Sequence, residues 1–287
     1  MTATDVLRDA FALTERWPPG FVAAGVVDAA GARTTTGDRT RAVPLASVTK
    51  PLVALAALVA VEEGSITLDE AVERVPNDGA TSGATVRHLL AHTAGLPFEG
   101  PEPVGRPGAG RIYSNTGFER LAAHIGARTG IRMPAYLRDA VFRPLAMRGA
   151  ELADDASAAK DAVASLDDVL AVAVELLSPT VIAPEMLAKA TSVQFPGLAG
   201  VVPGVGRFDP CDWGLGVELR SSKAPHWTPP SASPRTFGHF GGTGTFLWVD
   251  PDAGVACAVL TTTGFDRWAL TDWPAFGDAI LAAVRTS

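Results

Sequence analysis

The stretch from Pro51 to Val61 is apolar at every position. A helix that is hydrophobic on every side has no face to give to water, so it must run through the middle of a core. It is too short to cross a bilayer, which takes about 20 apolar residues. Pro51 suits such a helix only in the first turn, where its missing N–H has no intrahelical partner. Gly64 supplies a natural stop. The buried helix therefore begins just after Ser47-Val-Thr-Lys50. A spacing of three puts the Ser47 hydroxyl and the Lys50 amine on one helical face. A serine hydroxyl is a poor nucleophile until a neighbour takes its proton, and a desolvated lysine can do so. The helix N-terminus adds partial positive charge and free N–H groups that favour an oxyanion.

As a pattern, Ser-x-x-Lys is weak, and the chain contains it twice. Lysine is scarce here: Lys50, Lys160, Lys189 and Lys223 are the only four among 24 basic residues. The second match, Ser157-Ala-Ala-Lys160, lies among Glu151, Asp154, Asp155 and Asp161. That setting reads as solvated surface, without an apolar wall to desolvate the amine. Ser47 is the expected nucleophile.

Composition excludes several other classes. With 287 residues, 47% hydrophobic and 19% charged, the chain can bury one large core or two interleaved ones. A formal charge of −7 argues against a nucleic-acid or anionic-membrane partner. Cys211 and Cys257 are too few for a disulfide framework, and no Cys/His cluster suggests zinc. The pairs Asp154-Asp155 and Asp167-Asp168 lack the glycine turn and spaced ligands of a calcium loop. Gly197, Gly200, Gly204 and Gly206 match neither dinucleotide nor Walker patterns, and no Gly-x-Ser-x-Gly elbow occurs. No cofactor or metal is expected. The N-terminus shows no basic segment followed by an apolar one, which leads to the expectation of a cytoplasmic protein without a membrane partner.

Apolar spacing predicts a helix over residues 3–17, closed by Pro18-Pro19-Gly20. Strands are expected at Phe21–Val27, Thr34–Thr36, Trp213–Leu219, Thr245–Val249 and Val255–Thr262. Between them come helices at Thr85–Leu90, Asn115–Ala127, Pro134–Phe142 and Leu166–Leu177, and a last one at Trp273–Arg285. Strands at both ends with helices between them suggest a sheet domain over 1–67 and 206–287, interrupted by a mainly helical subdomain over 68–205. The proline-rich stretch 223–235 reads as a loop and a candidate lid.

Two further elements accompany Ser47 and Lys50: Tyr113-Ser-Asn115, and Gly238-His239-Phe-Gly-Gly-Thr-Gly244 ahead of a strand. With them the sequence resembles the serine β-lactamase and penicillin-binding-protein superfamily, in its branch of class C β-lactamases, D,D-carboxypeptidases and related esterases. The likeness extends to His88–Pro97, Tyr113–Phe118, Phe142–Met147 and Trp213–Gly216, and so runs over nearly the whole chain. It implies an α+β fold, an antiparallel sheet flanked by the N- and C-terminal helices with an inserted helical subdomain, and a site between the two parts. It further implies Ser47 as nucleophile, with Lys50 and Tyr113 sharing the proton relay and Tyr113 the base in acylation. That role needs either a cation that favours the phenolate or a concerted transfer. Asn115 would bind substrate or orient Lys50. Gly241, Thr243 and His239 would line the substrate side, and the backbone N–H groups of Ser47 and Gly242 would form the oxyanion hole.

Read without that resemblance, Tyr113 is a buried tyrosine, Asn115 a helix N-cap and His239 a strand histidine. His88 and His92 read as structural, His124 as a helix-face residue and His226 as a loop residue. The family's lactamases usually carry lysine where this chain has His239. A histidine is only partly charged at neutral pH, a weaker partner for a lactam carboxylate. The implied partner is a small-molecule ester, amide or lactam. An ester or amide hydrolase ranks first, a D,D-carboxypeptidase or D-amino-acid amidase second and a β-lactamase third. A catalytically silent binding protein ranks below these, because binding alone does not require the serine–lysine–tyrosine set. Phe98, Trp213, Trp227 and Phe237 are candidates for an apolar acyl pocket.

Overall fold

A computed structural model describes residues 3–72 and 83–285. Residues 73–82, part of the expected helical subdomain, lie outside them. The chain opens with α1 (Ala3–Ala12), which tightens into a 3₁₀ turn before Trp17, and continues into β1 (Val22–Asp28) and β2 (Arg33–Thr36). A short β3 (Val43–Pro44) leads to α2 (Thr49–Glu62). Then come α3 (Val86–Leu90), α4 (Asn115–Thr129), α5 (Met133–Leu137), β4 (Val163–Ala164), α6 (Leu166–Leu177) and α7 (Pro184–Ala190). A small hairpin, β5 (Gly200–Val202) with β6 (Gly206–Phe208), precedes β7 (Glu218–Leu219), β8 (Phe237–Phe240), β9 (Phe246–Asp250), β10 (Val255–Thr261) and α8 (Arg267–Arg285).

Six strands form one antiparallel sheet in the order β2-β1-β10-β9-β8-β7. The N-terminal strand pairs with the last one, Val26 opposite Cys257, so both chain ends build the same sheet. Successive side chains of a strand point to opposite faces, and here both faces are covered. Ala24, Val26, Cys257 and Val259 pack with α1 and α8, while Ala23, Val27, Ala256, Ala258 and Leu260 face α6 and join the core cluster that contains α2. This explains why β10 is buried throughout, and apolar from Val255 to Leu260, instead of alternating. Small residues let α6 approach closely: a Cβ on Gly25 would sit 2.7 Å from the Leu170 side chain. Although α6 falls within the span expected for the helical subdomain, it packs across β1, β9 and β10.

The central helix behaves as its sequence requires. Every residue of α2 from Thr49 to Ala60 is buried, and Gly64 ends it with φ +75°. Three other expectations change. The strand foreseen over Trp213–Leu219 shrinks to β7, because Gly216 takes φ +80° and Gly214 lies against the Ala190 carbonyl. Helix α8 starts at Arg267 instead of Trp273 and contains Pro274. Its buried residues Ala269, Trp273, Phe276 and Ile280 keep helical spacing across the proline, so packing outweighs the lost hydrogen bond. The 223–235 stretch is not a free lid. Trp227 is buried between Phe240 and Phe246, and Ser231 is bonded to Asp278 of α8. Among the described residues no helix is long and apolar enough to cross a membrane.

The loop at Gly216 crosses α2 where the helix carries only a methyl group: a Cβ on Gly216 would lie 2.1 Å from the Ala54 Cβ. Gly216→Ala combines that clash with a left-handed backbone, and should lower unfolding free energy by roughly 1–3 kcal/mol in a urea titration. An unchanged midpoint would show that α2 and this loop are not packed as described.

Candidate active site

The turn before α2 is held from three sides. Leu45 donates its N–H to the Ala162 carbonyl at 2.9 Å, and Thr245 Oγ1 donates to the Leu45 carbonyl at 2.8 Å. Thr243 Oγ1 donates to the Pro44 carbonyl at 3.0 Å. Between these anchors Ala46 adopts φ +47°, a left-handed conformation that costs a residue with a Cβ about 1–3 kcal/mol. Gly241 makes room for it: a Cβ there would lie 2.4 Å from the Leu45 oxygen and 3.0 Å from the Ala46 Cβ. The result is a short 3₁₀ turn, Ala46–Val48, that presents the half-buried Ser47 at the mouth of the helix.

One turn on, Lys50 is fully buried, and its Nζ has three oxygen partners. Asn115 Oδ1 lies at 2.6 Å, the Ala159 carbonyl at 3.1 Å and Ser47 Oγ at 3.3 Å. Burial pushes its pKa down to about 7, against the smaller opposing pull of Glu119 and Glu99. The free amine therefore exists near neutral pH. It has two N–H bonds and one lone pair. Asn115 Oδ1 and the Ala159 carbonyl can only accept, so they take the two hydrogens, and the lone pair faces the Ser47 hydroxyl. The Asn115 amide is fixed in this orientation because its Nδ2 donates to Glu99 Oε1 at 2.8 Å. Ser114, not Asn115, is the N-cap of α4.

Tyr113 closes the site from the other side. Its hydroxyl lies 3.4 Å from His239 Nε2, it shares the cavity wall with Ser47, and Lys50 Nζ is 4.7 Å from its ring centroid. Burial raises the phenol pKa well above its ordinary value, against the smaller opposing influence of the neighbouring Ser47 hydroxyl. The surroundings thus favour a neutral hydroxyl over a phenolate. His239 is also neutral: burial and the nearby Lys50 push its pKa down to about 3. Its Nδ1 lies 2.7 Å from the Phe240 carbonyl, an acceptor only, so Nδ1 carries the proton and the Nε2 lone pair faces Tyr113. Histidine at this position is therefore uncharged, not partly charged as its ordinary pKa suggests. His92 stacks on the Tyr113 ring at 4.5 Å and accepts the Ser114 N–H at 3.1 Å, which fixes the loop carrying Tyr113 and Asn115.

These groups open into a cavity of about 240 Å³ lined by Ser47, Tyr113, His239 and Gly242. Its remaining wall is mainly apolar, with Phe98, Val202, Pro203, Trp213, Phe240 and Phe265 among the lining side chains. Glu218 also reaches the wall, but Lys223, His226 and the Trp227 indole N–H already occupy its carboxylate. Among the described residues, neither the Ser47 nor the Gly242 N–H has an acceptor within the chain. An open shelf of about 630 Å³ adjoins the cavity past Phe98 and Tyr113. A larger groove of about 680 Å³, between α6, α7 and the β9–β10 turn, contains none of these residues.

Ser47, Lys50, Tyr113, Asn115 and His239 are thus brought together. Asn115 stands behind Lys50 and does not line the cavity. Gly241 lies under the Ser47 turn, and Thr243 spends its hydroxyl on Pro44 outside the cavity wall. Of the four aromatic candidates, Phe98 and Trp213 reach the cavity, whereas Trp227 and Phe237 are buried elsewhere. Sequence reasoning missed Val202, Pro203 and Phe265, which carry no motif, and Phe240, which stands within the Gly238–Gly244 element but was given no role. It also missed the place of Ser157–Lys160. That segment lies against the back of Lys50, and its Ala159 carbonyl is one of the amine's acceptors.

Gly241→Ala should leave the circular dichroism spectrum intact while displacing the Ser47 turn. A misplacement of about 1 Å costs roughly 100-fold in rate, which the second-order rate of fluorophosphonate labelling would reveal. Wild-type labelling by this variant would mean that Gly241 does not shape the turn.

The Beta-lactamase family model matches residues 18–276 of the chain. A crystal structure of a β-lactamase from Mycobacterium bovis superposes with a TM-score of 0.91 at 48% identity, covering 96% of this chain and 99% of that one. Penicillin-binding protein 4* of Bacillus subtilis (strain 168) is 30% identical over 129 residues, which are 36% of this chain and 29% of that protein. Esterase EstB of Burkholderia gladioli is 44% identical over 80 residues, 25% of this chain and 19% of the esterase. These two matches therefore span less than a third of either relative's length. The family match spans most of the chain and agrees with the shared architecture: the chain belongs to the Beta-lactamase family, a superfamily of serine hydrolases.

Proposed function

We propose that the protein hydrolyses a small neutral ester or amide through an acyl-enzyme on Ser47. The observation that carries this reading is the three-oxygen environment of Lys50, which leaves the lone pair of a neutral amine for the Ser47 hydroxyl. In acylation Ser47 Oγ attacks the acyl carbon as its proton passes to Lys50 Nζ. The ammonium so formed already has Asn115 Oδ1 and the Ala159 carbonyl as acceptors. The N–H groups of Ser47 and Gly242 receive the oxyanion, where one donor is typically worth about 3 kcal/mol of transition-state stabilisation. Tyr113 acts as a neutral relay: its O–H gives a proton to the leaving group while its oxygen takes one from the Lys50–Ser47 pair. His239 Nε2 holds that hydroxyl between turns of the relay. Deacylation runs the same steps in reverse, with water in place of Ser47.

The cavity chemistry supports a neutral substrate. Its wall is mainly apolar, the histidine on it is uncharged and the one carboxylate is paired, so a substrate carboxylate finds no cation there. That favours an ester or amide over a D,D-peptide or a β-lactam. A second reading, β-lactam hydrolysis, draws support from the 48%-identical Mycobacterium bovis protein, which bears the name β-lactamase.

Intact mass after exhaustive fluorophosphonate treatment should show one adduct in the wild type, none in Ser47→Ala and an adduct of the same added mass, at whatever rate, in Ser157→Ala. A label that survives Ser47→Ala would reject the nucleophile. On one preparation, kcat/KM for a short-chain p-nitrophenyl ester should exceed that for a chromogenic cephalosporin. The reverse order would make lactam hydrolysis the leading function.

A further inference from the structure

We propose that Glu99, Lys160 and Glu119, joined through the second Ser-x-x-Lys segment, form a positioning layer that orients Asn115 and sets the readiness of Lys50. This rests on the reading of Ser47 and Lys50 given above. The layer is a continuous chain of contacts from solvent to the amine. Lys160 Nζ meets Glu99 Oε1 at 2.7 Å, and the same oxygen accepts from Asn115 Nδ2 at 2.8 Å. Asn115 Oδ1 then accepts from Lys50 at 2.6 Å. An asparagine amide can turn by half a rotation and exchange its oxygen for its nitrogen. Only the Oδ1-inward orientation suits Lys50, because an amide NH₂ facing the amine would compete for its lone pair. Glu99, an acceptor, forbids the wrong orientation.

A parallel branch serves the other acceptor of Lys50. Ser157 Oγ donates to Glu119 Oε1, which also accepts the Ala159 N–H at 3.4 Å. The residue whose carbonyl holds Lys50 at 3.1 Å is thereby tied through its N–H to α4, which also carries Asn115. Ser157 and Lys160 are therefore not a second nucleophile and base. They fasten the two acceptors of the first pair.

The charges of the layer act on Lys50 with opposite signs. Lys50 is faced on the cavity side by Tyr113 and the neutral His239, with His92 behind the Tyr113 ring. Towards solvent stand Glu99, Glu119 and Lys160. The two carboxylates favour the ammonium and Lys160 disfavours it. Glu99 and Lys160 are about half exposed, at 53% and 44%, so their influence is screened and modest.

The test compares pH profiles of fluorophosphonate labelling at Ser47 for the wild type, Glu99→Gln, Glu99→Ala and Lys160→Met, with short-ester hydrolysis followed in parallel. The base works when deprotonated, so the rate rises with pH through the Lys50 midpoint. Glu99→Gln removes a carboxylate and leaves Lys160 unpaired, so its midpoint should move to lower pH. Lys160→Met removes a cation, so its midpoint should move to higher pH. Each shift should be on the order of 0.3 pH units at low ionic strength and shrink with salt. Gln keeps an acceptor for Asn115, so Glu99→Gln should retain the high-pH rate, whereas Glu99→Ala should lose about tenfold. General damage to the fold would not move two midpoints in opposite directions. Equal or absent shifts, with the wild type labelled normally, would overturn the positioning layer. Failure of the wild type to label Ser47 would overturn the nucleophile assignment itself, and this inference with it.

Discussion

The site depends on the burial of Lys50. An ammonium is costly to remove from water unless it is paired, and its three oxygen partners carry no charge. The cost is relieved by giving up the proton, which is the state the proposed chemistry needs. The apolar run after Lys50 is the source of this effect: because α2 has no wet face, its first turn is carried into the interior with the lysine attached. The helix that makes the core also desolvates the proposed base.

The rest of the architecture keeps that arrangement at the surface of the core and not inside it. Strand β8 and the loop to β9 grip the turn ahead of α2 through Thr243, Thr245 and the missing side chain of Gly241. From the opposite side, the loop before α4 brings in Tyr113 and Asn115, braced by His92. The sheet and the helical layer thus meet at Ser47. Ala46 absorbs the geometric mismatch in its left-handed backbone, a strain the surrounding hydrogen bonds are placed to hold.

Much of this was legible in the sequence because it follows from pattern. The all-apolar run predicted α2, Thr85 predicted a capped helix that carries a full capping box, and α6 spans the expected Leu166–Leu177. Strands β9 and β10 fall within a residue of their expected positions. What the sequence hid depends on contacts between distant segments. Trp227 lies in a proline-rich stretch that reads as a loop and a candidate lid, yet the sheet side of the molecule buries it. Ser157–Lys160 reads as acidic surface, and only the folded chain brings its Ala159 carbonyl to Lys50. His239 appeared partly charged from its ordinary pKa, whereas burial beside Lys50 keeps it neutral. Phe240 and Phe265 reach the cavity through tertiary packing that no local spacing encodes.

Everything proposed for Ser47 requires Lys50 to be a free amine near neutral pH, and its side chain can be titrated directly. With four lysines in the chain, the Lys50 resonance is assignable by single substitution in a lysine-labelled sample. An NMR titration of the Lys50 side-chain carbon or nitrogen should show a midpoint near 7. A midpoint at the ordinary lysine value, about 10.4, would contradict it.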